Sequence, residues 1–183
     1  MLKKIANEEK YILFSILIIF VLGSLVHFIY DFTNQNIIIG LFAPVNESVW
    51  EHTKLGIIPL ALWWGMFYKF KNKNCNMDKN KWFTSFLISL FTSIITISMF
   101  FYFYTGAFGI ENVFIDILIF FLSILLGQIL GLHFYKYAKG INYKITILIF
   151  LFILVIYGIF TFYPPKLPIF KDASTETYGV NKT

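Results

Sequence analysis

The chain has 183 residues and a mass of 21.4 kDa, with 58% hydrophobic residues, 21% aromatics, 14% charged residues and a mean hydropathy of +0.72. A soluble domain carries about 25% charged residues, so that class is excluded, as are disordered, fibrous and disulfide-rich chains. The charge of +5 comes from 15 lysines and no arginine; without the bidentate arginine fork, nucleic acid is a poor partner, and the single Cys75 excludes an internal disulfide or a Cys-based zinc site.

Crossing about 30 Å of hydrocarbon takes about 20 apolar residues. The first candidate span, 11–30, is interrupted only by His27. It follows Lys3, Lys4 and Lys10 as a signal peptide would, but it is too long and no cleavage site follows, so it reads as an uncleaved span. The second is short. Only residues 55–68 separate Lys54 from Lys69, about 21 Å of helix. To cross, this helix must start between Pro44 and Ser48 and carry Glu51, His52 and Lys54 below the interface, with Lys69 snorkelling at the other end. Pro59 removes one of its backbone bonds and is expected to kink it. Residues 82–104 and 145–165 are free of charge, and 112–135 contains Asp116 and His133. Pro164-Pro165 ends the last span.

Lysines set the orientation. With five spans, Lys3, Lys4, Lys10, Lys69, Lys71, Lys73, Lys79, Lys81, Lys136, Lys139 and Lys144 share one face, and only Lys54, Lys166, Lys171 and Lys182 lie on the other. The acids run the opposite way. Tyr11, Trp82, Tyr135 and Tyr143 fall at the first interface and Tyr30, Tyr102, Tyr104 and Tyr163 at the second, as aromatic belts do. The expected architecture is therefore an all-α, polytopic helix bundle in the cell membrane, with about five transmembrane helices, the amino terminus inside and the carboxyl terminus outside. Residues 1–165 form a single transmembrane domain, and 166–183 form a polar external tail that is either disordered or folded over the outer face. The lipid bilayer is the expected partner, with a membrane-protein subunit or a second copy of the chain as further candidates.

His27, Glu51, His52, Lys54 and Asp116 all fall roughly 4–9 Å inside the outer boundary. Ionisable groups at such depth face a bundle interior or a wet cavity and mark function by default. The segment from Asn46 to Lys54 is the densest part. Ser48 and Glu51 match a capping box, which leaves Glu47, His52 and Lys54 unaccounted for. Glu47 and Glu51 repel at i, i+4 and want a counter-charge, either Lys54 or a bound cation. The cheapest arrangement of the layer brings its members together, with Lys54 paired to Glu47, Glu51 or Asp116. His27 and Asp31 are also i, i+4, and a carboxylate there would fix the imidazole tautomer. Asp116 shares a face with Ser123, Gly127 and Gly131, a small-residue packing face. Ser85, Ser89, Thr92 and Thr96 form a stripe that reads first as helix-packing glue and second as a polar conduction path. Gln128 and His133 read as structural.

Metalloprotease, α/β-hydrolase, P-loop and dinucleotide-binding signatures are absent. The catalytic candidates are Glu47, Glu51, His52 and Lys54. The candidates for a divalent metal (zinc, manganese or iron) are His27, Asp31, His52, Glu51 and Asp116.

The segments His27-Phe-Ile-Tyr-Asp31, Ala43-Pro-Val-Asn-Glu-Ser-Val-Trp-Glu-His52-x-Lys54 and Pro164-Pro-x-x-Pro-x-Phe-x-Asp172, with Tyr178-Gly179, resemble a family of small bacterial multi-pass membrane proteins of unknown function. The resemblance implies a bacterial membrane protein and adds nothing about chemistry. The leading reading is a small transporter or a membrane partner subunit with a polar site near the outer face. The alternative is a membrane-embedded, metal-dependent or acid–base enzyme acting on a lipid or lipid-linked substrate, with Glu51 or Glu47 as base, His52 and His27 as ligands or proton shuttles and Lys54 stabilising an anion.

Overall fold

The computed structural model describes residues 7–75 and 77–180. Among these the chain is all helical: α1 (Asn7–Phe32), a single turn α2 (Ile37–Gly40), α3 (Val49–Cys75), α4 (Lys79–Phe108), α5 (Val113–Tyr137), α6 (Tyr143–Phe162) and a 3-10 turn at Pro168–Phe170. Short polar side chains start the helices by accepting first-turn amides. Asn36 caps α2, Asp78 caps α4, Asn112 caps α5 and Asn142 caps α6. Gly109, at φ +66°, ends α4 in the left-handed region that only glycine enters freely.

Four helical segments, in α1, α4, α5 and α6, are long and apolar enough to cross a membrane. They expose large apolar side chains in number, among them Phe14, Leu25, Phe103, Leu118, Leu148 and Phe152. A water-soluble monomer rarely shows so much apolar surface. The remaining long helix, α3, spans 27 residues and runs through Pro59 without a break. It starts one residue after the predicted window, with Ser48 outside it as the cap, so Glu47 precedes the helix and shares no helical face with Glu51 and Lys54.

Helix α3 packs between α1 and α4, and α4 lies along α5. Two serines of α4 hold that second contact, Ser89 from the stripe and Ser93 beside it. Ser89 Oγ donates to the Gly127 carbonyl at 2.9 Å and Ser93 Oγ to that of Ser123 at 3.1 Å. A Cβ on Gly127 would stand 2.7 Å from the Ser89 carbonyl, so the glycine is what lets the two backbones approach. Deeper in the bundle, Trp82 Nε1 donates to the Trp64 carbonyl at 2.9 Å, Trp64 Nε1 to Gln128 Oε1 at 3.2 Å, and Gln128 Nε2 to Ser15 Oγ. This buried chain ties α4, α3, α5 and α1 together. His133 is exposed, edge-on to Phe134 and near Tyr137.

The described part of the tail folds back onto the loop before α3. Phe170 is buried, with its ring centroid 4.9 Å from that of Trp50 and 5.3 Å from that of Phe160. Trp50 in turn stacks on Tyr157 at 4.2 Å. Lys171 and Tyr178 form an isolated antiparallel bridge.

Candidate functional site

The site is built on the loop 41–48 and the first turn of α3. Asn46 Oδ1 accepts the Ser48 amide at 3.0 Å, and Ser48 Oγ accepts the Glu51 amide at 3.3 Å. Half of the capping box therefore forms. The other half does not, because Glu51 turns away from the Ser48 amide and accepts the Val45 amide at 3.0 Å.

Adjacent residues on a helix point about 100° apart, and this sends Glu51 and His52 into different surroundings. Glu51 and Lys54 form a buried ion pair, Nζ to Oε2 at 2.6 Å. Lys54 Nζ also donates to the Gly40 and Ala43 carbonyls, at 2.8 and 3.4 Å, and Thr161 Oγ1 donates to Glu51 Oε1 at 3.1 Å. All donors and acceptors of this cluster face protein, and together they pin α2, the loop and α6 to the start of α3.

His52 faces the other way. Its Nδ1 lies 3.1 Å from the Ser48 carbonyl; a carbonyl only accepts, so Nδ1 carries the hydrogen. Its Nε2 lies 3.3 Å from Nε2 of His27 on α1 and 3.2 Å from Oε2 of Glu47, while His27 Nε2 is 3.7 Å from the same oxygen. Where their Nε2 atoms carry protons, His27 and then His52 hold the Glu47 carboxyl well below the usual carboxylate range. Among the described residues, His27, Glu47 and His52 form the one group of three side chains placed to hold a metal ion.

These three side chains lie on the wall of a cavity of about 570 Å³ between α1, α3, α4, α5 and the tail. The wall is mostly apolar, with Leu55, Ile97, Phe101, Ile117 and Phe120 among its members. Among the described residues its other acids are Glu111 and Asp116, and it carries no lysine. Asp116 accepts the Tyr104 hydroxyl at 2.7 Å. Asp31 is exposed at the end of α1 and outside the triangle; the carboxylate beside His27 is Glu47. The ionisable layer read from the sequence thus divides in three: His27 and His52, joined by Glu47 from the loop; Glu51 with Lys54; and Asp116, bonded to Tyr104.

Sequence reasoning missed Tyr104, Thr161 and the tail's part in the site. Ala173 and Ser174 stand on the cavity rim. Asp172 Oδ2 accepts the Glu47 amide at 3.4 Å, and Asn46 Nδ2 donates to the Gly179 carbonyl at 2.9 Å. Burial pushes the Asp172 carboxyl up, but the Ser174 hydroxyl and the amides of Thr175, Ser174 and Glu47 together outweigh it and hold it below its ordinary value. A depressed carboxyl supplies stability above its unfolded-state pKa and loses it as the pH falls through the folded-state value. Acid should therefore loosen the tail. A 4-fluorophenylalanine at position 170 should show a buried fluorine signal at neutral pH that moves toward the solvent-exposed position in acid, and Asp172→Asn should show that shift already at neutral pH. A signal insensitive to both would mean that Asp172 does not hold the tail.

The family described as a family of unknown function (DUF6512) matches residues 1–180. No curated protein and no solved structure matches the chain.

Proposed function

The chain belongs to that family of unknown function, and we propose that it is a bacterial cell-membrane enzyme acting on a lipid or lipid-linked substrate at the outer face. One observation carries the reading: His27, Glu47 and His52 converge on the wall of an apolar cavity large enough for part of an amphiphile. The apolar part of the substrate lies along Ile97, Phe101, Ile117 and Phe120, and its polar end meets the two imidazoles and Glu47. The transporter reading needs a polar path across the bundle. Ser89, one hydroxyl of the α4 stripe that would line it, is bonded to the Gly127 carbonyl within the α4–α5 contact, and the buried Trp64–Gln128 link lies across the middle, which favours the enzyme.

A direct test compares a bacterial lipid extract incubated with the reconstituted wild type and with His52→Ala. The wild type should deplete one amphiphile species in the mass spectrum, and the variant should not. An unchanged profile with both, together with failure of a photoreactive lipid to label the cavity, would remove the proposal.

The same reading has five spans, with α3 crossing by way of its polar flanks and the eleven-to-four lysine distribution holding the amino terminus inside. Of these lysines, Lys3, Lys4 and Lys182 lie outside the described residues, as does the side chain of Cys75. Cys75 should resist a membrane-impermeant maleimide in intact cells, while a cysteine replacing the exposed Lys166 should react. Labelling of Cys75 from outside would eliminate this topology.

A further inference from the structure

We propose that His27 Nε2, His52 Nε2 and Glu47 Oε2 bind one divalent transition-metal ion, zinc by preference, with a fourth position open to the cavity. The three atoms form a triangle of edges 3.3, 3.2 and 3.7 Å. The point equidistant from its corners lies about 2.0 Å from each atom, and zinc bonds nitrogen and carboxylate oxygen at about 2.0–2.2 Å. An ion at that point, or a few tenths of an ångström to one side of it, therefore meets all three bond lengths with little movement of the protein.

The tautomer of His52 points the same way. With its hydrogen on Nδ1 toward the Ser48 carbonyl, the neutral ring directs a bare lone pair at Glu47 and His27. Lone pair against carboxylate at 3.2 Å is repulsive unless a proton or a cation lies between them. One proton on His52 relieves one edge of the triangle; a divalent ion satisfies all three atoms at once. A ligand histidine whose far nitrogen donates to a backbone carbonyl is the usual supporting arrangement at metal sites. Glu47 is supported as well, because its amide donates to Asp172.

Two further features assign the ion a role. Three protein ligands with an open position characterise catalytic rather than structural zinc, and the cavity lies on the open side. Among the described residues the cavity wall also carries Glu47, Glu111 and Asp116 and no lysine, so a divalent ion would supply its strongest attraction for an anionic or polarised oxygen. Two imidazoles and one carboxylate suit zinc, with manganese and iron as rivals. The fourth position would hold a water molecule or a substrate oxygen. That last role rests on the reading of the cavity as an amphiphile site, whereas ion binding does not.

The test uses the purified full chain, stripped with EDTA and titrated with zinc or with cobalt(II) as a spectroscopic probe. The wild type should bind about one ion per chain and give the intense visible cobalt bands of a four-coordinate site. Binding should be lost in His27→Ala, His52→Ala and Glu47→Ala and kept in Asp31→Ala and His133→Ala. Asp172→Ala, which frees both the Glu47 backbone and the tail beside the cavity, should weaken binding by about 10-fold or more while leaving the cobalt spectrum four-coordinate. Elution and melting of each variant in EDTA, compared with the metal-free wild type, separate loss of ligand from loss of fold. If a folded His52→Ala chain takes up zinc as the wild type does, or the wild type takes up none, the metal centre is ruled out and a His52 imidazolium paired with Glu47 stands in its place. Stoichiometric zinc without lipid turnover would overturn the enzyme reading alone. Lipid turnover undiminished by EDTA would overturn the ion's catalytic role alone.

Discussion

Replacing Lys54 by alanine should lower the stability of the purified protein by about 3–5 kcal/mol, because it leaves the Glu51 carboxylate buried without its counter-charge. Lys54 is 1% exposed and Glu51 2%, so water cannot take over the role of the missing partner. The same change at Lys171, whose partner Glu176 is exposed, removes a solvent-screened pair that contributes little and should hardly move the melting temperature. The partner of Lys54 can be identified by double substitution. Lys54→Met with Glu51→Gln removes both charges, and the side-chain amide oxygen introduced by Glu51→Gln can still accept from the Val45 amide. The double variant should recover much of the loss, with a coupling of about 0.5–3 kcal/mol between the two sites. Lys54→Met combined with Asp116→Asn should be additive, since that acid belongs to another cluster. Detergent melting of the single and double variants decides it. Additivity in the Lys54–Glu51 pair would mean that the short Nζ–Oε2 contact contributes nothing to folding.

The consequence of that pair reaches the site. Lys54 holds the Gly40 and Ala43 carbonyls and Glu51 holds the Val45 amide, so the pair fixes the loop that ends in Glu47. Two charges in the first turns of α3 shape the backbone, and their sequence neighbours Glu47 and His52 face the cavity.

How far this was legible in the sequence follows from what a linear pattern can encode. Composition located the four apolar helices, and the Ser48-x-x-Glu51 pattern put the start of α3 within one residue of its place. Depth along each helix was also readable, because a residue count converts to ångströms, and so the layer of His27, Glu51, His52, Lys54 and Asp116 could be drawn up. Azimuth was not readable. Glu51 and His52 share a depth and differ by about 100° around the helix, which separates an internal ion pair from a cavity-facing imidazole. Helical geometry makes Asp31, at i+4, the expected neighbour of His27, yet Asp31 is exposed. Glu47 instead arrives from a loop whose return path depends on tertiary contacts. The tail was undecided between disorder and docking because its polar composition hides two anchors: the Phe170 ring against Trp50, and Gly179, at φ +72°, which offers its carbonyl to Asn46.

A second large effect should come from a methyl group that touches none of the ionisable residues. Gly23 lies one turn before His27 on α1, and Leu55 lies three residues after His52 on α3. A Cβ at Gly23 would stand 2.5 Å from the Leu55 carbonyl oxygen and would also run into the Phe120 ring. The ring can turn; the carbonyl belongs to the α3 backbone and moves only with the helix. Gly23→Ala should therefore push α1 and α3 apart near the point where His27 and His52 meet at 3.3 Å. Helix propensity alone favours alanine over glycine by about 1 kcal/mol, so a destabilisation would have to come from contact. Overpacking of this kind costs about 1–3 kcal/mol. Gly65 on α3 serves as the control, since a Cβ there meets nothing within 4 Å and Gly65→Ala should hold or slightly raise the melting temperature. Metal sites tolerate about 0.2 Å in their bond lengths, so the displacement in Gly23→Ala should also abolish the four-coordinate cobalt spectrum with all three ligands present. Retention of both stability and spectrum in Gly23→Ala would mean that α1 and α3 can separate at Gly23 without moving the histidines, and that the spacing of the site is set by the loop through Glu47 instead of by the helix contact.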